Sequence, residues 1–378
     1  MTFRLLHIAD LHLDMSFAMD GLPAGYGAWR RTDLRATLGR ILTLARERAV
    51  DVVTIAGDLY DHQFAVPDTA SFLAQQFNQM DPIRVVIAPG PSDPYTTDSL
   101  YALTRWPRNV TVFSQGHLEP IELAPSVYLW GAACPPPRRI GTLEAVPSLP
   151  DGINFLLLHA VDAGQAGTIE GQFVVQAEAV RQAGFDCALL GGEHLGRRWP
   201  ENHPVCMYPG SPEPLGWSET EGLHSVVLVT LEDQRLAIEA IETNQWRYSA
   251  VTVDLTATTS MAEAHTAVAQ ALAAHNVDHE RTVVRVTLTG DPDYVLTLEP
   301  LTQGELAAAH LLVEPRLTLA YDLSQLAQEP TVRGRLVQRF QQGLAKARTE
   351  QERQALHDAL RLALRTLDGK EVRPYEVH

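Results

Sequence analysis

Cysteine is scarce in this chain, with three residues among 378, at positions 134, 187 and 206. They form no Cys-x-x-Cys pair, so the sequence indicates neither a disulfide framework nor a zinc ribbon. The sequence also lacks a charged-then-apolar leader, an apolar run of about 18 residues and a Gly-x-x-x-x-Gly-Lys-Ser/Thr segment. We therefore expect a cytoplasmic protein that neither crosses a membrane nor binds ATP through a P-loop.

The chain also has few positively charged residues. It contains 30 Lys and Arg residues and 46 Asp and Glu residues, which gives a formal net charge of -16. Affinity for nucleic acid depends largely on Lys and Arg side chains that release counterions from the phosphates. A DNA-binding protein of this composition needs a local basic stripe or help from a partner. Three clusters could line such a stripe, although each also suits a solvated surface pair: Arg30-Arg31, Arg138-Arg139 and Arg197-Arg198.

Four apolar segments lead into acidic or histidine residues, and each segment predicts a buried strand. They are Phe3–Leu6 before Asp10 and His12, Val52–Ala56 before Gly57-Asp58, Phe155–Leu158 before His159, and Cys187–Leu190 before Gly191-Gly192-Glu193-His194. The carboxyl ends of neighbouring strands meet at one edge of a sheet, so one shared site is expected there. On an extended strand end, Asp10 and His12 would share one face and could hold a single cation.

These blocks, in this order, resemble the calcineurin-like metallophosphoesterases. Within that family they are most similar to the DNA-repair exonuclease branch, whose SbcD-like member is the nuclease subunit of a double-strand-break repair complex. The segment Tyr208–Pro214, followed by Glu219 and an apolar strand at 225–229, is also similar to that branch. The resemblance covers about residues 1 to 245. It implies an α/β fold, a sandwich of two β-sheets flanked by helices, with a small α+β capping domain and C-terminal helices.

The chain divides by pattern into a metallophosphoesterase domain at 1–245, a small capping domain at 246–325 and a C-terminal helical segment at 326–378. In the capping region, apolar patterning predicts strands at 250–255 and 282–289 around a helix at 261–274, then a helix at 303–312 and a strand at 316–321. Leucine stripes at helical spacing predict two helices in the last segment. These helices either fold back on the capping domain or, as the resemblance implies, bind the coiled coil of a separate ABC-type ATPase subunit.

The resemblance also implies a ligand set for divalent metal. Asp10, His12 and His194 would hold one cation, Asp58 would bridge to a second, and His159 would bind that second one. Nitrogen and oxygen ligands without thiolate suit manganese, iron or zinc, and manganese is the cation we expect. The alternatives are a relic site that keeps only hydrogen bonds and, for His159, a purely structural histidine.

Three positions depart from the family pattern. Pro91 stands where the family has a metal-binding Asn, Ser92 where it has its catalytic His, and Gly192 where it has another metal-binding His. The catalytic residue is therefore unknown, and we expect one cation rather than two. Glu193 and His62 lie close enough in the sequence to be considered as substitute ligands. Ser92 beside Asp93 favours a turn over a nucleophile.

Three functions remain open on the sequence. The first is a DNA-processing metallophosphoesterase subunit that acts with a separate ABC-type ATPase and whose nuclease activity is weak or lost, because two-metal hydrolysis needs both cations. The second is an inactive, nuclease-derived subunit that binds DNA or a partner. The third is a small-substrate phosphoesterase, which the acidic charge favours. A homodimer, which the resemblance implies, is left open as well.

Overall fold

The structure, a computed structural model, describes residues 2–18, 22, 25–134, 148–164, 171–200, 206–220, 222–275, 281–290, 292, 294, 296–302, 310–317 and 323–369. Met1–Met19 with Ala24–Trp246 form one compact unit, and Arg247–His378 with Asp20–Pro23 form a second. The Arg138-Arg139 cluster lies outside the described residues, as do most of the predicted 303–312 helix and 316–321 strand. The roles assigned to the three sequence regions stay predictions.

The first unit alternates strands and helices and then ends in strands. In chain order its elements are β1 (Thr2–Ile8), α1 (Tyr26–Glu47), β2 (Val52–Ile55), α2 (Pro67–Asn78), β3 (Arg84–Ile87), α3 (Leu100–Leu103), β4 (Val110–Val112), β5 (Glu119–Ala124), β6 (Val127–Gly131), β7 (Ile153–Asp162), β8 (Phe173–Val175), α4 (Ala177–Gln182), β9 (Cys187–Gly191), β10 (Arg197–Trp199), β11 (Cys206–Tyr208), β12 (Ser225–Glu232) and β13 (Arg235–Glu242). A single 3-10 turn, Trp217–Glu219, follows β11.

Two sheets make up this unit. The first has the strand order β13-β12-β1-β2-β3-β4, and the second has β10-β11-β9-β7-β6-β5, with β8 paired to β7. Strands β1 to β4 are parallel, as crossover helices require, whereas β12 and β13 run antiparallel and close the sheet beside β1. The predicted α/β class, with two sheets and flanking helices, is confirmed.

The core of the unit lies between the two sheets. Leu5 and Val86 from the first sheet share a buried cluster with Leu129, Phe155 and Leu189 from the second. Alternate residues of β1 and β2, such as Leu6 and Val53, are buried on the opposite face. Strands buried on both faces give the continuous apolar runs seen in the sequence. Because both faces of these strands are buried, the first polar residues of the sequence mark the points where the strands end.

The second unit is a small parallel sheet followed by helices. Its elements are β14 (Arg247–Asp254), α5 (Met261–Ala274), β15 (Thr282–Thr289), α6 (Glu299–Thr302), β16 (His310–Pro315), α7 (Leu323–Leu326), α8 (Val332–Leu344) and α9 (Glu350–Leu367). The sheet order is β14-β15-β16, and all pairs are parallel. In α7, α8 and α9, Leu326, Val337, Leu360 and Leu364 share one buried cluster.

Two sequence predictions in this unit are wrong where the structure describes them. Residues 310–312, predicted as the end of a helix, lie in β16, and Arg316 and Leu317, predicted as a strand, follow it. The alanine-rich stretch before His310 favours a helix locally. Pairing of β16 with β15, for example Leu311 with Val284, overrides that preference.

Within the described residues, no helix combines the length and the apolar character that crossing a membrane requires.

Candidate metal centre

The predicted site residues converge at the carboxyl edge of the two sheets. Asp10 lies just beyond β1, Asp58 just beyond β2, and His194 just beyond β9. His159 lies inside β7, opposite Gly191 of β9, and not at the strand end that the sequence indicated. The sheets come close here, since a Cβ on Gly191 would clash with the Ala56 carbonyl oxygen. One edge of the sandwich therefore carries residues from four chain segments.

The loop after β1 is coiled and not extended. Asp10 and His12 have φ angles of 54° and 50°, and Asp58 in the facing loop has φ 51°. The two loops are tied together because the Asp10 N–H donates to the Gly57 carbonyl at 3.1 Å and the His12 N–H to the Asp58 carbonyl at 2.9 Å. The extended strand end assumed from the Asp10/His12 spacing is therefore wrong. The side chains converge because both residues adopt left-handed backbone, which Asp and His tolerate better than most residues.

Two overlapping groups of metal-ligand atoms result. Asp10, His12 and His194 form one group, and Asp10, Asp58 and His159 form the other, with the ligand atoms of each within 4.8 Å of one another. Asp10 belongs to both groups. The structure thus brings together all five residues predicted as ligands, and their binding of metal stays a prediction.

The His12 ring supplies a test of whether a cation fits. Its Nε2 atom is buried, has no hydrogen-bond partner among the described residues, and lies 3.6 Å from Asp58 Oδ2. A buried nitrogen without a partner is costly unless something binds it. A divalent cation between this nitrogen and the nearby carboxylates would satisfy it, so the residues present fit a metal.

Two acidic residues orient the His12 and His194 rings through hydrogen bonds to Nδ1. His12 Nδ1–H donates to Asp61 Oδ1 at 2.7 Å, and His194 Nδ1–H donates to Glu219 Oε1 at 2.7 Å. Once the ring is neutral, each bond keeps the remaining proton on Nδ1 and leaves Nε2 as the ligand atom. Glu219 is itself held by the Ser211 hydroxyl and the Leu215 N–H. Sequence reasoning assigned no role to Asp61 or Glu219, although both stand in motif segments.

The electrostatics of the site favour a bound cation. Burial raises the pKa of Asp10 above its ordinary range. Burial would also raise the pKa of Asp58, but the charges of His159 and His12 and the hydrogen bonds of Ser92 outweigh it, and that pKa is lowered. Burial would lower the pKa of His12, yet the Asp61 hydrogen bond and the charges of Asp58 and Asp10 raise it to about 9. Without metal, a protonated His12 balances the carboxylates.

Metal affinity is therefore expected to increase with pH. In the metal-free protein His12 keeps its proton up to a pH of about 9, and a cation can bind Nε2 only after that proton leaves. Below this pH the apparent affinity should rise about tenfold per unit for each proton released, and the rise should level off above it. Calorimetry at pH 7 in buffers of different ionisation enthalpy should detect at least one proton released per cation. Binding without proton release would contradict the assignment of His12 as a ligand.

Replacing Asp61 by alanine is expected to lower metal affinity about 10- to 100-fold, because the His12 ring loses the partner that fixes its orientation and tautomer. Asp61→Asn keeps an acceptor oxygen and should lose less. Affinity can be measured by competition with a fluorescent chelator. Equal affinities for the wild type and the alanine variant would show that Asp61 does not orient a metal ligand.

Asp93 anchors the loop that carries Pro91 and Ser92. Its Oδ1 accepts hydrogen bonds from the Asp58 and Gly90 N–H groups at 2.9 and 2.6 Å. Its Oδ2 accepts from the Leu59 N–H at 2.8 Å and the Tyr101 hydroxyl at 2.6 Å. Burial and the nearby charge of Asp58 raise the pKa of Asp93 to about 7. Asp93 thus holds two loops together and does not join either ligand group.

The two substitute ligands considered from the sequence belong to neither group among the described residues. Both carboxylate oxygens of Glu193 accept hydrogen bonds from Arg197, at 2.9 and 2.7 Å. His62 Nε2 lies 3.9 Å from Asp98 at the surface. The second metal site is therefore not rebuilt by these residues in the arrangement seen.

In the two arginine clusters that the structure describes, Arg30 and Arg197 are committed to other contacts and do not contribute to a basic stripe. Arg30 is fully buried, and its guanidinium donates to Asp33 Oδ2 at 2.6 Å and to the Pro214 carbonyl at 2.7 Å. Arg197 is paired with Glu193 and Asp162 and stacks over Trp199. The surface-pair interpretation of Arg30 is thus wrong. Its role is structural.

Comparison with known proteins agrees with the geometry. Residues 3–161 match the family of calcineurin-like phosphoesterases. A relative, the "Uncharacterized metallophosphoesterase YhaO" of Bacillus subtilis (strain 168), is 24% identical over 258 residues, 66% of this chain. The match spans 62% of that relative, less than two thirds of its length.

Two solved structures show weaker likeness. The protein TT1561 of Thermus thermophilus is 12% identical, with 64% of this chain and 99% of that chain covered and a TM-score of 0.36. A conserved uncharacterized protein, a predicted phosphoesterase from Streptococcus pneumoniae TIGR4, is also 12% identical, with 64% and 91% covered and a TM-score of 0.32. At these TM-scores neither likeness bears on the site.

Proposed function

We propose that this chain, whose residues 3–161 match the family of calcineurin-like phosphoesterases, is a divalent-metal-dependent phosphodiesterase subunit acting on DNA. The observation that carries the metal-dependent part is the buried, unpartnered His12 Nε2 between Asp10, Asp58 and His194. A divalent cation bound there would lower the pKa of a water ligand and polarise a phosphoryl oxygen. Nitrogen and oxygen ligands suit manganese, iron or zinc, and manganese is the one we propose, on the strength of the sequence resemblance.

The chain's own residues set up the rest of the site. Asp61 and Glu219 hold His12 and His194 with their Nε2 atoms free, and the Gly192 N–H donates to both oxygens of Asp10 at 3.1 and 3.0 Å. The His194 side chain is 35% exposed, whereas Asp10 and His159 are buried. A phosphate is therefore expected to approach from the His194 side.

DNA as the substrate and an ATPase as the partner are supported by the sequence resemblance and by the helices of the second unit. Helices α8 and α9 share a buried cluster, and Val332 and Leu367 at their ends are 73% and 46% exposed. We propose that this helical pair binds the coiled coil of a separate ABC-type ATPase subunit. The net charge of -16 agrees with weak binding of DNA by the chain alone. The cytoplasm, with its reducing conditions, suits the three free cysteines.

A second function is favoured by one specific observation. Ser92 stands at the catalytic histidine position of the family pattern and donates two hydrogen bonds to Asp58. General acid catalysis typically accelerates a reaction about 10²–10⁴-fold. A site without a general acid at this position loses that contribution to the rate. A subunit that binds metal and DNA without cleaving is therefore the alternative.

The test is hydrolysis of single- and double-stranded DNA and of a small phosphodiester, with manganese, with a chelator, and with the ATPase subunit added. Asp58→Asn is the matched control. Cleavage of DNA that is lost with the chelator and in the variant supports the proposal. Metal binding with no cleavage above the variant favours the binding subunit, and cleavage of the small substrate alone favours a small-substrate phosphoesterase. Absence of bound metal overturns the proposal.

A further inference from the structure

Ser92 holds the carboxylate that would bridge two metals. Its backbone N–H donates to Asp58 Oδ1 at 2.8 Å, and its hydroxyl donates to Asp58 Oδ2 at 2.9 Å. The same residue thus engages both oxygens of one buried carboxylate. Two hydrogen-bond donors stabilise the negative charge of a carboxylate. A bound cation stabilises that charge in the same sense.

The Oδ1 side of Asp58 is closed by main chain. A Cβ built on Gly90 would clash with Asp58 Oδ1 and would lie 2.8 Å from His159 Nδ1, so the Gly90 backbone packs directly against both groups. The Gly90 N–H is committed to Asp93. The hydrogen bond to Oδ1 comes from the backbone N–H of Ser92, so Ser92→Ala removes only the hydroxyl hydrogen bond to Oδ2.

The Oδ2 atom of Asp58 is the one that faces other candidate ligands. His12 Nε2 lies 3.6 Å from it and His159 Nε2 lies 3.8 Å from it, while the Ser92 hydroxyl takes part of its accepting capacity. A carboxylate that bridges a metal pair normally offers one oxygen to each cation. In this arrangement Asp58 presents Oδ2 to the candidate ligands, whereas Oδ1 lies against the Gly90 backbone.

The other flank of His159 offers no replacement ligand. Gly192 occupies it, and a Cβ there would lie 3.0 Å from His159 Nε2. The next residue, Glu193, is paired with Arg197. Among the described residues, neither Gly192 nor Glu193 adds a ligand atom to the group of Asp10, Asp58 and His159.

We propose that the site is mononuclear and that Ser92 is a positioning residue that replaces a second cation as the partner of Asp58. Ser92 fixes Asp58 with Oδ2 directed toward the single cation, and the strand-end loops need no second metal to stay in place. This inference rests on the cation site of the proposed function. It does not depend on whether the protein cleaves DNA.

The metal count is tested first on the unaltered full chain. Metal-free protein is titrated with Mn²⁺, bound metal is measured by elemental analysis, and the loaded protein is examined by electron paramagnetic resonance. We expect one Mn²⁺ per chain and the six-line spectrum of an isolated ion, even with excess metal. Two bound ions with a spin-coupled spectrum would overturn the mononuclear centre while leaving the proposed function standing. No bound ion would overturn both.

The role of Ser92 is tested by substitution. Ser92→Ala, which loses the hydroxyl, should bind Mn²⁺ about tenfold more weakly, the low end of the effect of removing an orienting partner. Ser92→Thr keeps the hydroxyl and should restore affinity close to that of the wild type. Ser71→Ala removes a hydroxyl that bonds only within α2 and serves as the matched control. Unchanged affinity in Ser92→Ala, or no rescue by threonine in a folded variant, would overturn the positioning role.

Discussion

Asp10→Asn is expected to abolish measurable binding of a divalent cation, with a loss of affinity greater than the approximately 100-fold that removal of an orienting partner can cost. Asp10 is completely buried and belongs to both ligand groups. The amide cannot supply the negative charge that offsets desolvation of the metal. Its oxygen can still accept the hydrogen bond from the Gly192 N–H, so the loop should remain folded.

The comparison for this prediction uses two further variants. Asp58→Asn removes a carboxylate from one group and should cost less than Asp10→Asn. Asp68→Asn changes an exposed carboxylate that pairs with Arg35 away from the site, and it should bind metal as the wild type does. The metal affinities of the three variants can be ranked by competition with a fluorescent chelator. An Asp10→Asn protein that is folded and binds metal normally would show that neither ligand group is a metal site.

Arg30→Ala is expected to lower the free energy of unfolding of the first unit by about 3–5 kcal/mol, the cost of breaking a buried ion pair. The Arg30 side chain is fully buried, bonded to Asp33 and to the Pro214 carbonyl, and its guanidinium carbon lies 5.2 Å from the Phe17 ring centroid. Its removal takes the ion-pair partner from Asp33 and opens a cavity. Urea unfolding followed by tryptophan fluorescence measures the loss.

Its sequence neighbour provides the control. Arg31 is only partly buried and donates one hydrogen bond, from Nη1 to the Ser16 carbonyl at 3.3 Å. Arg31→Ala should cost about 1 kcal/mol or less, the range for a single hydrogen bond. Similar losses for the two variants would mean that the buried contacts of Arg30 do not stabilise the first unit.

The strands and most of the ligand positions could be predicted because their causes are local. Strands buried on both faces must be apolar throughout, so β1, β2, β7 and β9 stand out, and polar residues after them mark the edge of the sheets. The family resemblance then ordered Asp10, His12, Asp58, His159 and His194 into one set. That these five bind metal remains a prediction.

The supporting contacts could not be predicted, because they join distant parts of the chain through loop geometry. Asp61 reaches His12 across 49 positions, and Ser92 reaches Asp58 across 34. The left-handed backbone of Asp10 and His12 left no signal in the sequence, since neither residue requires it. The burial of Arg30 could not be predicted from the sequence either. Its contact with the Pro214 carbonyl joins positions 184 apart and forms only when α1 packs in the folded protein.

The backbone conformation of Gly192 limits whether position 192 can carry a metal ligand. Its φ of 113° is strained for any residue with a side chain, at a cost of about 1–3 kcal/mol, and the new side chain would press against His159. A histidine introduced at this position alone would therefore destabilise the turn. A metal ligand at position 192 would require the backbone of the turn and the side chain to change together, so a single substitution there costs stability before it can add a ligand.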